Sequence, residues 1–158
     1  MKTPKTNAIR LLDQAGIAYE IRTYPYDESD LSGIKAADSL GLPAERVFKT
    51  IVMHGNRSGY LVGCLPVDRE IDLKALAGLS GDKHIEMISQ KDLLPLTGYI
   101  RGGCSPIGMK KQLPSFIDER ALLQERIAVS AGKRGVQTLL APADLIRFLN
   151  AKVGDFAR

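Results

Sequence analysis

Three groups of residues have the types and spacing to do chemistry. The run Tyr99-Ile-Arg-Gly-Gly-Cys-Ser-Pro-Ile-Gly-Met-Lys-Lys111 is a glycine-rich loop opened by Arg101 and closed by two lysines. Glycine lets a ligand approach bare backbone N–H groups, and basic side chains on both sides suit an anion, phosphate above all. A second loop of the same character follows at Ser130-Ala-Gly-Lys-Arg-Gly135. The third group is a single residue, Lys49, inside the apolar run Val47-Phe-Lys-Thr-Ile-Val-Met53. By the strand period of two, Lys49 shares a face with Val47, Ile51 and Met53, while Phe48, Thr50 and Val52 take the other. Both faces are apolar, so a solvent-facing lysine fits poorly and a site role competes with an edge-strand role.

Conventional catalysts are harder to find. Ser130 ends an apolar strand, but no G-x-S-x-G elbow surrounds it, and a serine nucleophile needs a base. His54 and His84 both lie beside turns and read as surface residues. Cys104 is a candidate nucleophile with Arg101 nearby to lower its pKa, against a simpler role as a small apolar anchor of the loop, which we favour. Cys64 reads as core. Tyr24 and Tyr26 flank Pro25 and either stack on a base or cover one end of the core. Two cysteines 40 positions apart and two histidines make neither a structural zinc pattern nor a cytosolic disulfide, and no metal or cofactor is expected. The Rossmann and P-loop fingerprints are absent. An enzyme of this kind would work by positioning and backbone hydrogen bonding.

These groups must be held by many short elements. Helices are expected over Thr6–Ala15, Ser32–Leu40, Leu73–Leu79 and Ala143–Leu149, the last with Pro142 in its first turn. Another short helix should open at a Ser89/Asp92 capping box and stop near Pro95. Strands are expected at Tyr19–Tyr24, Val47–His54, Tyr60–Val67, Ile85–Ile88, around Tyr99, at Ser115–Asp118, Arg126–Ser130, Val136–Leu140 and Val153–Phe156. The pair over 47–67 reads as a hairpin with a five-residue loop, 55–59. Irregular mixing of short strands and helices predicts an α+β fold, a single domain over residues 1–158 whose curved, barrel-like mixed sheet is surrounded by short helices.

With 158 residues the chain is long enough for one real core, and its 44% hydrophobic content is ordinary for a soluble protein. No apolar run spans a bilayer, and the first residues lack a signal-peptide core, so a cytoplasmic protein with no membrane partner is expected. The net charge is +4. Residues 99–134 hold seven basic side chains (Arg101, Lys110, Lys111, Arg120, Arg126, Lys133, Arg134) against three acidic ones, which accounts for the whole excess. The positive charge therefore coincides with the glycine loops and suits a nucleotide or a short stretch of nucleic acid.

The segments Phe48-Lys-Thr50, Gly98-Tyr99 with Gly102-Gly-Cys-Ser-Pro-Ile-Gly108, and Ser130-Ala-Gly-Lys-Arg-Gly135 stand in the order and spacing of the YbaK/EbsC family. Nearly the whole chain resembles that family's stand-alone bacterial Cys-tRNA(Pro) deacylases. The resemblance implies the fold of the prolyl-tRNA synthetase editing domain. It implies trans-editing: cleavage of the ester that links cysteine to proline tRNA, with the substrate's own thiol attacking the carbonyl. Mischarged tRNA, through its acceptor end, is the implied partner, with prolyl-tRNA synthetase as a further one. Lys49, Gly102, Gly103 and Ser130 are the implied catalytic residues, the first placing the 3′-terminal nucleotide and the glycine N–H groups stabilising the oxyanion. Tyr24, Thr50, Arg101, Ser105, Gly108, Gly132, Lys133 and Arg134 are the expected substrate-binding residues. Two positions depart from the family pattern: Cys104, commonly aliphatic, and Ala131, commonly glycine. A deacylase for another amino acid such as alanine, or a non-catalytic binder of the tRNA acceptor end or a nucleotide, are the alternatives.

Overall fold

A computed structural model describes residues 5–158. The elements in chain order are α1 (Asn7–Gln14), β1 (Glu20–Thr23), α2 (Gly33–Leu40), β2 (Phe48–Gly55), β3 (Gly59–Pro66), α3 (Leu73–Ser80), β4 (Ile85–Met87), α4 (Leu93–Thr97), β5 (Ser115–Asp118), β6 (Ile127–Lys133), β7 (Val136–Leu140), α5 (Pro142–Leu149) and β8 (Lys152–Gly154). Caps set three of the helix starts. The side chains of Thr6, Ser32 and Asp72 accept from the backbone N–H groups of Ile9, Lys35 and Ala75, satisfying donors that the first turn leaves free.

The strands form two sheets, ordered β1-β7-β6 and β4-β2-β3-β5-β8. In the larger sheet β2, β3 and β4 are antiparallel, and β5 and β8 add in parallel. One parallel bridge, Val47 to Ala128, joins the sheets where β6 approaches the start of β2. The α+β class expected from the sequence is thus built as two linked sheets that do not close.

The main core lies between the sheets. It includes Phe48 and Val52 of β2, Val62 and Cys64 of β3, Ile127 and Val129 of β6, and Leu12, Leu145 and Leu149 from α1 and α5. The opposite face of the larger sheet packs Met53, Leu61 and Leu65 under α3 and the C-terminus, with Leu76 and Phe156. Both faces of β2 are therefore covered, as its apolar pattern requires.

Two buried carboxylates hold loops in place. Asp82 accepts from the N–H groups of Arg57 (2.7 Å) and Ser58 (2.8 Å) and from the hydroxyls of Ser58 and Ser80, tying the β2–β3 turn to the end of α3. Asp118, fully buried, accepts from the N–H groups of Phe156 (3.0 Å) and Ala157 (2.9 Å) and from Arg120, anchoring the C-terminal segment.

The structure corrects four local expectations. The hairpin ladder runs on to the Gly55–Gly59 pair, so its loop is three residues, 56–58, rather than five. The Ser89/Asp92 capping box does not form: Ser89 precedes a 3₁₀ turn without a side-chain cap bond. The helix there continues through Pro95 to Thr97, because a proline in the first turn occupies a position whose N–H has no helical partner anyway. Around Tyr99 there is no strand; the ring is buried in the main core and its hydroxyl donates to the Ile107 carbonyl within the glycine loop.

Candidate functional site

The Val47–Ala128 bridge fixes what stands beside what. In a parallel pair, residues two further along each strand emerge on the same face. From Val47 and Ala128 those residues are Lys49 and Ser130. On the other side of β6, Ser130 faces Gln137 of β7 in the antiparallel register, and Ala128 faces Leu139. Two rows result. Val47, Ala128 and Leu139 form an apolar row that packs against Ala37 of α2. The next row, Lys49, Ser130 and Gln137, is polar and lines a cavity of about 120 Å³.

The N-terminal end of α2 roofs this cavity through Ser32, Gly33 and Ala36. At Gly33 a Cβ would overlap Val67 Cγ1, so only glycine lets the helix sit this close to Val67. Tyr24, Thr50, Gly102 and Cys104 complete the polar part of the wall. The volume equals roughly four waters, which suits a small ligand group. Tyr24, Ser32 and Gly102 also border a second recess with Tyr26, Asp30 and Arg134, at the outer end of α2.

Lys49 is half-buried. On its other side it borders a groove formed with Ile51, Glu70 and Met87. Burial pushes its ammonium below the ordinary lysine pKa, against the opposing pull of Glu70 and Asp68. Among the described residues no carboxylate lies within 4.0 Å of its Nζ. Ser130 is buried, and its Oγ accepts from the Gly132 N–H at 3.1 Å, which leaves its own proton to donate.

The two glycine loops meet. The Arg134 Nε donates to the Arg101 carbonyl at 2.9 Å. A Cβ on Gly103 would stand 3.0 Å from the Arg134 backbone nitrogen and 3.2 Å from the Lys133 carbonyl carbon, so only glycine lets the loops touch backbone to backbone. At Gly132 φ is +96°, and a Cβ would stand 2.8 Å from the Tyr99 ring.

Of the residues singled out in the sequence, the cavity brings together Tyr24, Lys49, Thr50, Gly102 and Ser130. Gly103 is buried behind the wall, and its N–H is committed to the Ile100 carbonyl at 3.0 Å. Ser105 is fully buried, its Oγ accepting from the Ile107 N–H. Gly108 packs near Asn7 and the Tyr99 hydroxyl. Arg101 and Lys133 are exposed and, with Gly132, lie outside the cavity, while Arg134 borders the second recess. Gln137 was missed. In Val136-Gln-Thr-Leu-Leu140 it reads as an ordinary polar strand position; the available signal was that its alternate neighbours on both faces are apolar or β-branched.

Cys104 fits the apolar role favoured for it: it is a largely buried thiol rather than an activated thiolate beside Arg101, and burial pushes its pKa up to about 12. Cys64, fully buried, is likewise pushed up to about 12. At pH 7 native protein should therefore take up iodoacetamide far more slowly than unfolded protein, with the rate still rising beyond pH 9, as read by intact mass. Rapid labelling of Cys104 at neutral pH would contradict this environment.

The family model for the aminoacyl-tRNA editing domain matches residues 31–148, which include every residue of the polar row. The chain is 48% identical over 153 residues to EbsC of Enterococcus faecalis, assigned as a Cys-tRNA(Pro)/Cys-tRNA(Cys) deacylase; the match covers 97% of this chain and 92% of that protein. A proline–tRNA ligase of Fervidobacterium nodosum is 29% identical over 97 residues, which are 54% of this chain and 17% of the ligase. The crystal structure of a protein assigned as a trans-editing enzyme for prolyl-tRNA synthetase superposes with a TM-score of 0.85 at 21% identity, covering 100% of this chain and 99% of that one; this likeness is one of fold.

Proposed function

The chain belongs to the aminoacyl-tRNA editing domain family, and from that premise we propose that it is a trans-acting deacylase that frees proline tRNA of mischarged cysteine. The observation that carries this reading is the makeup of the cavity. It gathers an ammonium, a serine hydroxyl free to donate and a bare glycine backbone, yet among the described residues no histidine or carboxylate lines it. Such a site can hold an ester and stabilise negative charge on its carbonyl oxygen, but it offers no general base to activate water or a serine.

The substrate supplies what the cavity lacks. The cysteine Sγ attacks the ester carbonyl carbon and forms a C–S bond. The tetrahedral oxyanion then collapses, the bond to the ribose oxygen breaks, and the thiol proton passes to that oxygen. The products are uncharged tRNA and a four-membered thiolactone, which water opens to free cysteine. Lys49 anchors the terminal nucleotide beside the ester. The Gly102 N–H and the Ser130 hydroxyl take the oxyanion, a role that Gly103 cannot share because its N–H closes the turn. The exposed basic side chains of Arg101 and Lys133 serve the nearby phosphates. Prolyl-tRNA synthetase is the partner that would supply tRNA selection.

The test compares three esters on proline tRNA: cysteinyl, S-methylcysteinyl and alanyl. The cysteinyl ester should be lost well above its uncatalysed rate, while the other two, lacking a free thiol, survive. Survival of the cysteinyl ester would refute the activity. Loss of S-methylcysteine would refute substrate assistance. A folded but inactive Cys104→Ala protein would move the nucleophile from the substrate to the enzyme.

A further inference from the structure

The polar row ends in a group that the ester chemistry does not use. Gln137 is 6% exposed and lines the cavity, and its Oε1 is the one buried side-chain oxygen or nitrogen without a hydrogen-bond partner among the described residues. An orphaned amide in a buried position is costly, and such a group in a cavity marks a place where a ligand completes the bonding. The last side-chain bond of glutamine is broad and two-fold, and a half-turn exchanges the amide oxygen and nitrogen, so either can face the cavity.

The other polar groups narrow what that ligand atom is. The Lys49 ammonium and the Gly102 N–H donate only. The Ser130 oxygen already accepts from the Gly132 N–H and the Ser32 oxygen from the Lys35 N–H, so each hydroxyl keeps its proton to donate and a single lone pair. Thr50 is engaged with the Cys64 sulfur. Tyr24 sits where the cavity joins the second recess. Among the described residues no aspartate or glutamate lines the cavity. An aminoacyl ester brings acceptors, which these donors suit, and also one strong donor, its α-amino group. Within the polar row, the side-chain acceptor with no bond of its own is the Gln137 amide oxygen.

We propose, resting on the deacylase reading above, that Gln137 is a specificity-determining residue that accepts a hydrogen bond from the α-amino group of the aminoacyl ester. The site thereby selects esters with a free amine over N-acylated or peptidyl esters. The contact also fixes rotation about the bond between the α-carbon and the carbonyl, which decides whether the substrate thiol can reach that carbonyl.

The experiment uses two non-hydrolysable 3′-amides of 3′-deoxy-3′-aminoadenosine, one carrying cysteine and one carrying 3-mercaptopropionate, the same group without its amine. Binding is measured by calorimetry under reducing conditions at pH 7. The wild-type protein should bind the cysteinyl amide about tenfold tighter, the size of one hydrogen bond to a charged donor. Gln137→Met, close in length and without an acceptor, should bind the two alike. Gln137→Glu, which keeps an acceptor and adds charge, should restore or widen the preference. Equal binding by the wild type, an unchanged preference in folded Gln137→Met, or no preference in Gln137→Glu would each overturn the assignment. Turnover of Cys-tRNA(Pro) by the wild type, run in parallel, separates the two readings. Preference without turnover refutes only the deacylase activity, and turnover without preference refutes only the role of Gln137.

Discussion

Lys49→Met is expected to lower deacylation of Cys-tRNA(Pro) by at least about 100-fold, the size of effect seen when one preorganised charge or donor is removed from a reacting centre. The same substitution should leave the thermal midpoint unchanged or raise it. The reason is the cost of the charge. Burial depresses the lysine pKa, so the folded state carries the ammonium at a penalty. The linkage has a definite sign. For a lysine whose folded pKa lies below its unfolded value, the penalty is fully present below the folded pKa and is relieved as pH rises past the unfolded value, so stability rises with pH across that window. Activity runs the opposite way: it needs the ammonium and should fall as pH climbs through the depressed pKa, earlier than for an ordinary lysine. In Lys49→Arg, which holds its charge throughout, any residual activity should lack that alkaline limb. Full activity in folded Lys49→Met would remove the lysine from the mechanism.

Asp118→Ala is expected to be the most damaging change for stability, at about 3 kcal/mol, in line with removing one member of a buried charged pair. Its carboxylate is fully buried and receives the N–H groups of Phe156, Ala157 and Arg120 together with the Arg120 guanidinium. Alanine would leave the backbone N–H groups of Phe156, Ala157 and Arg120 without that acceptor, while the Arg120 guanidinium keeps Asp155. Phe156, fully buried in the second core, would lose its tether. For a domain of this length the midpoint should drop by roughly 10 °C. Asp118→Asn, which keeps one accepting oxygen, should lose less. A drop of only a degree or two in Asp118→Ala would show that the C-terminal segment is held by its apolar contacts alone.

Much of this was legible in the chain because the signals are local. Helix starts at Thr6 and Ser32 follow from an oxygen placed where the first turn has free N–H groups, and Gly41 and Gly81 end helices in the left-handed conformation that glycine adopts freely. Lys49 and Ser130 stood out because each interrupts or ends an apolar strand. The misreadings were also local. Tyr99 resembles a strand residue by type, but its backbone neighbours are spent in turns around the glycine loop, and its place in the core is set by what packs on it. Cys104 was not among the misreadings: its burial agrees with the small apolar role favoured for it over a reactive one. Gln137 gave no sequence signal stronger than any polar residue in a strand.

What the sequence by itself determined is the set of parts: most of the helices and strands, and where glycine must stand. What only the tertiary structure decided is their alignment. Lys49 and Ser130 lie 81 positions apart in the chain, and they become neighbours because Val47 pairs with Ala128 and the strand repeat carries that register two residues further. Strand register is fixed by packing of the whole apolar set on each face rather than by any local preference. The polar row of Lys49, Ser130 and Gln137 therefore exists only once β2, β6 and β7 stand in register.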